Sequence, residues 1–509
     1  MNHSYDVVII GSGAGGGTVA EYLSRFADQG LKILLLERGP YWPKENFTQR
    51  EIEMSKIFYN RGAVLSKDRS IALSTAKTVG GSTAVYTGVS FRPPADVLAS
   101  WRDEFGLSFL TDQYAASVLD EIEQQIGVHE LSESMDNDNN RLFKKGCDAL
   151  GIGTKRLRIN TRGCEGQGFC NLGCTKGAKQ GTLEVQIPQA RSRGVDVVWN
   201  AHVNEIISGD RAQVRLTINP AAPYTLPNDW PEGDHTVLAK TVVISGGTLN
   251  TPVILAQSPS LKINRSLLGR YVTLHPAYNV NGIYKEAIKN YRGFPKSFYV
   301  DDFSDTDHYY LETSFYYPGV TAKNTGSFGP QHQSIMDDYQ KMMSILILVH
   351  DEAEKHNQIA LNKKTGEAVL DYTVSKKVTE TIAKALHRAT DIFFAAGCDR
   401  VAVPLKKNPV ITADDASNLS SLFVPSNLDF KKAPLSTAHP QGGARMAADD
   451  KTGIVSPKGH LFNHENIFVA DASLFPTSVK VNPYETVMLL ARYVAEQVAA
   501  RHGVEGRRK

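Results

Sequence analysis

No run in this 509-residue chain approaches the roughly 18–20 apolar residues of a membrane-spanning helix, which excludes one on sequence criteria. Cysteine is scarce: five residues cannot make a disulfide scaffold, and the odd number suits a reducing compartment. A charge surplus is also missing. The 56 basic and 54 acidic residues leave a net charge of +2, without the basic excess expected of a nucleic-acid partner. The tail Arg507, Arg508 and Lys509 reads as a solvated end. Internal repeats and low-complexity tracts are absent. Met1 to Tyr5 are too short and too polar for a signal peptide, so the expected address is the cytoplasm. The length exceeds the ~250–300 residues at which one core stops growing, so more than one domain is expected. With 41% hydrophobic and 22% charged residues, the composition is that of an ordinary globular protein.

Glycine is abundant at one telling place. Asp6–Ile10 is an unbroken, largely β-branched run that predicts a buried strand. It enters Gly11-Ser12-Gly13-Ala14-Gly15-Gly16-Gly17, and a helical pattern follows from Thr18 to about Ala27. A second strand, Lys32–Leu36, ends at Glu37, 21 positions after Gly16. Strand, glycine turn, helix, strand and acid in this order make a dinucleotide site. Gly11 makes the tight turn, Gly13 admits a pyrophosphate against the backbone, and Gly16 lets helix and strand pack closely. The helix N-terminus offers free amides and a positive dipole end, and Glu37 is placed to accept from ribose hydroxyls. A glycine-rich turn can also exist for chain geometry alone, and the turn does not decide between NAD and FAD.

Other segments do. Thr78-Val79-Gly80-Gly81-Ser82-Thr83 is a second small-residue turn whose amides can lie against a flat ring or a phosphate. His439-Pro440-Gln441-Gly442-Gly443 precedes a predicted strand, Asn466–Ala470, and then Asp471-Ala472-Ser473. Val481-Asn482-Pro483-Tyr484-Glu485-Thr486 leads into a helix reaching about Ala499. With Ser245-Gly246-Gly247, Thr251-Pro252, Leu268-Gly269-Arg270 and His275-Pro276, these segments span essentially the whole chain. Together they resemble the glucose–methanol–choline (GMC) family of FAD-dependent oxidoreductases. Within it the chain is similar to the long-chain alcohol oxidases, through Gly163–Cys174, Leu346–Asp351 and Gly366–Thr373, with some likeness to cholesterol oxidases.

The resemblance implies an α/β fold: a Rossmann-type FAD-binding domain with a discontinuous α+β substrate domain built on an antiparallel sheet. The FAD-binding domain takes residues 1–95, 180–285 and 435–509, and the substrate domain 96–179 and 286–434. FAD is expected to be non-covalent, since no His or Cys lies between Val79 and Gly88. The implied cofactor set is Gly11, Ser12, Gly13, Ala14, Gly16, Glu37, Arg38, Gly80, Gly81, Ser82, Val203, Asp471, Ala472, Pro483 and Thr486. Tyr86 departs from the family, which often has asparagine there. His439 is the implied proton acceptor, a role its ordinary pKa near 6.5 suits, and Asn482 the group that orients the hydroxyl. The reaction so implied converts an alcohol to an aldehyde or ketone, with oxygen or another acceptor taking the electrons. A sugar or glycoside is the alternative substrate. A fatty-acid photodecarboxylase is the alternative in another class, although its relatives carry cysteine in place of His439. A non-catalytic flavoprotein is a third reading, which the His439/Asn482 pair disfavours.

Cys164, Cys170 and Cys174 are spaced C-x5-C-x3-C, which lacks a ligand of a four-iron cluster, and no nearby histidine completes a zinc site. They read as a structural loop with packed thiols or one disulfide, and no metal is expected. Ten aromatics between Tyr291 and Tyr317 suggest an apolar substrate, though most such residues serve a core. Strands are expected at Ser344–Val349 and Gln358–Leu361, a strand at Asp196–Trp199, and an amphipathic helix at Val378–Ala396. Of fourteen histidines most must be structural, and His275, His460 and His464 are read so.

Overall fold

A computed structural model describes residues 2–288, 290–406 and 410–504; the basic tail lies outside the described residues. Two large sheets organise the chain.

The first has eight strands. Asn2–Ile10 lies between Gly233–Ile244 and Ile33–Leu36, parallel to both, and Asp196–Val198 continues the parallel edge. His464–Val469 pairs parallel with the end of Gly233–Ile244. On the other side Ala201–Ile207 and Ala212–Ile218 add an antiparallel hairpin. Val7 to Ile10 and Ile33 to Leu36 are buried without alternation, as a parallel sheet covered on both faces requires. The helix Ala14–Ser24 packs against the C-terminal helix Tyr484–Arg501, whose inner residues from Val487 to Leu490 are buried. Ala14–Ser24 begins four residues before the expected Thr18. Three glycines in its first turns, poor helix formers, conceal the start from a propensity reading.

The second sheet has ten strands. Its middle runs Leu435–Thr437, Ala277–Ile283, Met342–Val349, Tyr309–Thr313 and Phe298–Val300, antiparallel throughout. It joins strands from both sets of ranges that the resemblance separates, since Val64–Leu65 and Ile71–Leu73 also belong to it. Met342–Val349 is buried on both faces. Met343, Ile345, Ile347 and Val349 face the core packed by the helix Lys376–Ala395, while Leu346 and Leu348 join Ala277 on the opposite face. The period of two in side-chain direction divides this strand between core and cavity.

Candidate active site

The sheets meet at a cavity of about 850 Å³, within the size range of small-molecule sites. The N-terminal strand reaches it at Gly11, whose φ of 103° favours glycine. A Cβ on Gly11 would lie 2.2 Å from the Ser245 carbonyl oxygen, and one on Gly16 1.8 Å from that of Gly11. Those glycines serve chain against chain. Gly13 differs: its nearest neighbour is Gly81 Cα at 3.8 Å, and its free side opens on the cavity. The N-terminus of Ala14–Ser24 faces the same space. Volume, glycine opening and helix end together fit a dinucleotide.

Fourteen of the residues singled out in the sequence line this cavity: Gly11, Ser12, Gly13, Ala14, Glu37, Arg38, Gly81, Ser82, Val203, His439, Asp471, Ala472, Asn482 and Pro483. Gly16, Gly80 and Thr486 stand behind its wall. Gly80 takes φ 88°, and its amide donates to Ser12 Oγ at 2.9 Å, tying the two glycine turns together. Thr486 is fully buried, and its hydroxyl has no partner among the described residues.

The acids at this end are held by the chain itself. Glu37 Oε2 accepts from the Ser12 amide at 3.0 Å and hydroxyl at 2.6 Å, and Oε1 from the Gly39 amide at 2.7 Å. Asp471 accepts from Gly247 N, Thr251 Oγ1 and Ser473 N. Burial pushes both carboxyl groups above their ordinary range, against these hydrogen bonds. Arg38 reaches away to Glu367, 2.5 Å distant, and lies over the Tyr59 ring. Tyr86 lines the cavity and accepts from Asn160 Nδ2 at 2.5 Å, with Tyr484 edge-on at 5.2 Å.

At the other end stand His439 and Asn482. His439 Nδ1 is buried without a partner among the described residues. Burial, helped by the charge of Lys296, pushes the pKa of His439 down to about 3. Gln441 ties their two segments together: its Oε1 accepts from Val479 N at 2.8 Å, and its Nε2 lies 3.2 Å from His275 Nε2. The His275 ring stands perpendicular to His439 with centroids 5.5 Å apart. His275, read from the sequence as structural, therefore forms part of the cavity wall. Its backbone is fixed at φ 47° by the Asp351 carboxylate, which accepts from Leu274 N at 2.7 Å and His275 N at 3.1 Å.

Sequence reasoning missed Lys296, Glu312 and Gln441. Gln441 lay inside a quoted motif and could have been found there. Lys296 and Glu312 carry no motif, and only the sheet brings them to the site. Of the ten aromatics only Tyr316 and Tyr317 line the cavity; Phe294, Phe298 and Tyr309 are core, and Tyr291 is exposed. Asn171 and Leu172 of the cysteine loop reach the cavity wall, while burial pushes the Cys170 thiol up to about 12. Lys179 Nζ donates to the Cys170 carbonyl at 2.5 Å and to that of Ala84 at 2.9 Å. All five cysteines are free thiols, and no metal-holding group of three or more His, Cys, Asp or Glu occurs among the described residues.

Residues 54–277 and 353–491 match the two halves of the GMC oxidoreductase family model. An uncharacterised GMC-type oxidoreductase of Mycobacterium tuberculosis is 29% identical over 499 residues, covering 97% of this chain and 76% of the relative. The long-chain-alcohol oxidase FAO4A of Arabidopsis thaliana is 25% identical over 511 residues, covering 96% and 68%. Pyridoxine 4-oxidase from Mesorbium loti superposes with a TM-score of 0.74 at 17% identity, covering 99% of this chain and all of that one, which shows a shared fold. The matched halves contribute both the glycine turn at Gly81 and the histidine at 439 to one cavity, and the chain belongs to the GMC oxidoreductases, enzymes that use FAD.

Proposed function

We propose that this enzyme oxidises a medium or large apolar alcohol to the aldehyde or ketone, with His439 accepting the hydroxyl proton and Asn482 orienting the hydroxyl. One observation carries the reading. His439 and Asn482 face a cavity whose substrate side is lined by Ala277, Leu346, Leu348, Tyr316 and Tyr317. Bound FAD supplies the hydride acceptor for such a reaction. The protein's part is to take the proton and hold the carbon in place. Burial keeps His439 unprotonated, with its Nδ1 unpartnered among the described residues, so the ring can take up the proton as charge develops on the substrate oxygen beside it. Pro483 begins the helix Tyr484–Arg501, whose positive end favours negative charge gathering beside it.

The wider reading keeps FAD non-covalent, with Gly13 and Gly81 against the cofactor and Glu37 at the ribose. It keeps the two-part division at 1–95, 180–285 and 435–509 against 96–179 and 286–434. Electrons pass to oxygen or another acceptor, and the cytoplasm is the proposed compartment. No described helix is long and apolar enough to cross a membrane.

The test is anaerobic bleaching of the flavin by a graded panel of primary alcohols, a sterol, and free and glycosylated sugars. Reduction that quickens with chain length or with the sterol supports the apolar substrate. Reduction by sugars alone overturns it.

A further inference from the structure

A buried ion pair places Lys296 on the wall of the cavity that His439 also lines. Lys296 Nζ donates to Glu312 Oε2 at 2.5 Å, with side chains only 9% and 2% exposed. Burying both charges is costly, and an apolar pair of similar volume often serves stability as well or better. The sheet explains the position. Glu312 pairs in register with Leu346, so the two share a face, and Leu346 lines the cavity. Lys296 is anchored by its neighbour: Ser297 N donates to Asn140 Oδ1 at 3.0 Å and Thr313 Oγ1 at 2.9 Å. Lys296 lines the same cavity as His439 and Asn482. Among the described residues Glu312 is the one hydrogen-bond acceptor of Lys296 Nζ, so two of its three N–H donors are without a protein partner.

Resting on the reading above, we propose that Lys296, held by Glu312, is a third catalytic residue whose ammonium donates to the substrate oxygen as its proton leaves for His439. The oxygen gains negative charge when the hydroxyl proton passes to His439, and loses it when the carbon gives up its hydride and the carbonyl forms. Lys296 keeps its own proton throughout. Burial alone lowers its proton affinity, but the Glu312 carboxylate outweighs that and holds it charged. Burial, and to a lesser extent the same charge, keeps His439 unprotonated. The other titratable groups nearby are His275, against His439, and Tyr310, His350 and Lys480, which share a small cavity with Glu312.

The experiment uses FAD-loaded enzyme and hexanoate, whose carboxylate imitates the charged oxygen without being oxidisable at it. Wild type is expected to bind hexanoate, competitively with alcohol, with a change in the flavin spectrum. Lys296→Met should weaken that binding at least tenfold and slow anaerobic flavin reduction by about 100-fold, as loss of an oxyanion donor does. Lys296→Arg should restore hexanoate binding to within a few-fold. Should Lys296→Met fail to fold around an unpaired Glu312, the neutral double variant Lys296→Met with Glu312→Gln gives the same reading. Unchanged hexanoate binding in these variants, no hexanoate binding by a wild type that apolar alcohols do reduce, or equal loss in the Arg and Met variants overturns the proposal. His439→Ala separates the two readings. Normal reduction in that variant removes His439 as acceptor, whereas its hexanoate affinity still reports on Lys296.

Discussion

The two ends of the cavity are built on opposite terms. At the glycine-turn end two acids find their partners within the chain: Glu37 accepts from three donors of Ser12 and Gly39, and Asp471 from Gly247, Thr251 and Ser473. At the far end two polar rings go unmet. His439 lacks a partner at Nδ1, and His350, buried at a small neighbouring cavity, lacks one at either nitrogen among the described residues. Buried polar groups without partners are costly, so a fold tolerates them where something else completes the site. One end is a cradle whose Glu37 and Asp471 are held before any ligand arrives. The other stores unmet hydrogen-bonding capacity where the chemistry is proposed to occur.

The largest effect should fall at the unmet end. His439→Ala is expected to slow anaerobic flavin reduction by about 1,000-fold, within the range for a general base, while retaining FAD. Stopped-flow reduction at saturating alcohol checks it, and an unchanged rate removes His439 from the mechanism. Next comes Gly13→Val in the cradle. A Cβ there meets the chain only at 3.8 Å, so the fold should tolerate the side chain and the cofactor should not. Protein purified without flavin, but with a stability loss below about 1 kcal/mol, is the expected result. Full FAD occupancy would show that Gly13 does not face the cofactor.

Glu37→Ala measures how finished the cradle is. It strands three buried donors, and chemical denaturation should show a loss of roughly 3 kcal/mol. A loss near zero would mean that water replaces the carboxylate at no cost. The smallest effect concerns pH. Burial holds His350 and His439 at about 3, while an unfolded histidine protonates near 6.5. Below pH 6.5 the unfolded chain therefore binds more protons than the folded one, and stability falls until the folded pKa is reached. Each ring contributes up to about 1.4 kcal/mol per pH unit in that window. Denaturation midpoints of His350→Phe between pH 7 and 5 should decline less steeply than those of wild type, and parallel curves would refute a neutral, buried His350.

Legibility followed the same divide. The first strand, the glycine turn and Glu37 lie within 37 residues of one another, and local spacing alone defines their geometry. The strand Gln358–Leu361 and the helix Lys376–Ala395 were likewise visible from periodicity, with ends shifted by at most two residues. His439 and Asn482 were named from motifs, although nothing local said that Gln441 couples their segments. His275 looked structural because its neighbours in sequence say nothing of the ring 164 positions away that it faces.

What the sequence determined by itself is the class of molecule: a doubly wound dinucleotide half and a motif set belonging to the GMC oxidoreductases. Those signals are local, since a turn needs glycine where it bends and a buried strand needs an unbroken apolar run. Only the tertiary structure decided which aromatics are wall and which are core. It alone brought Lys296, with Glu312, to the cavity that His439 also lines, because antiparallel register sets which side chains share a face and carries no mark in any single segment of the chain.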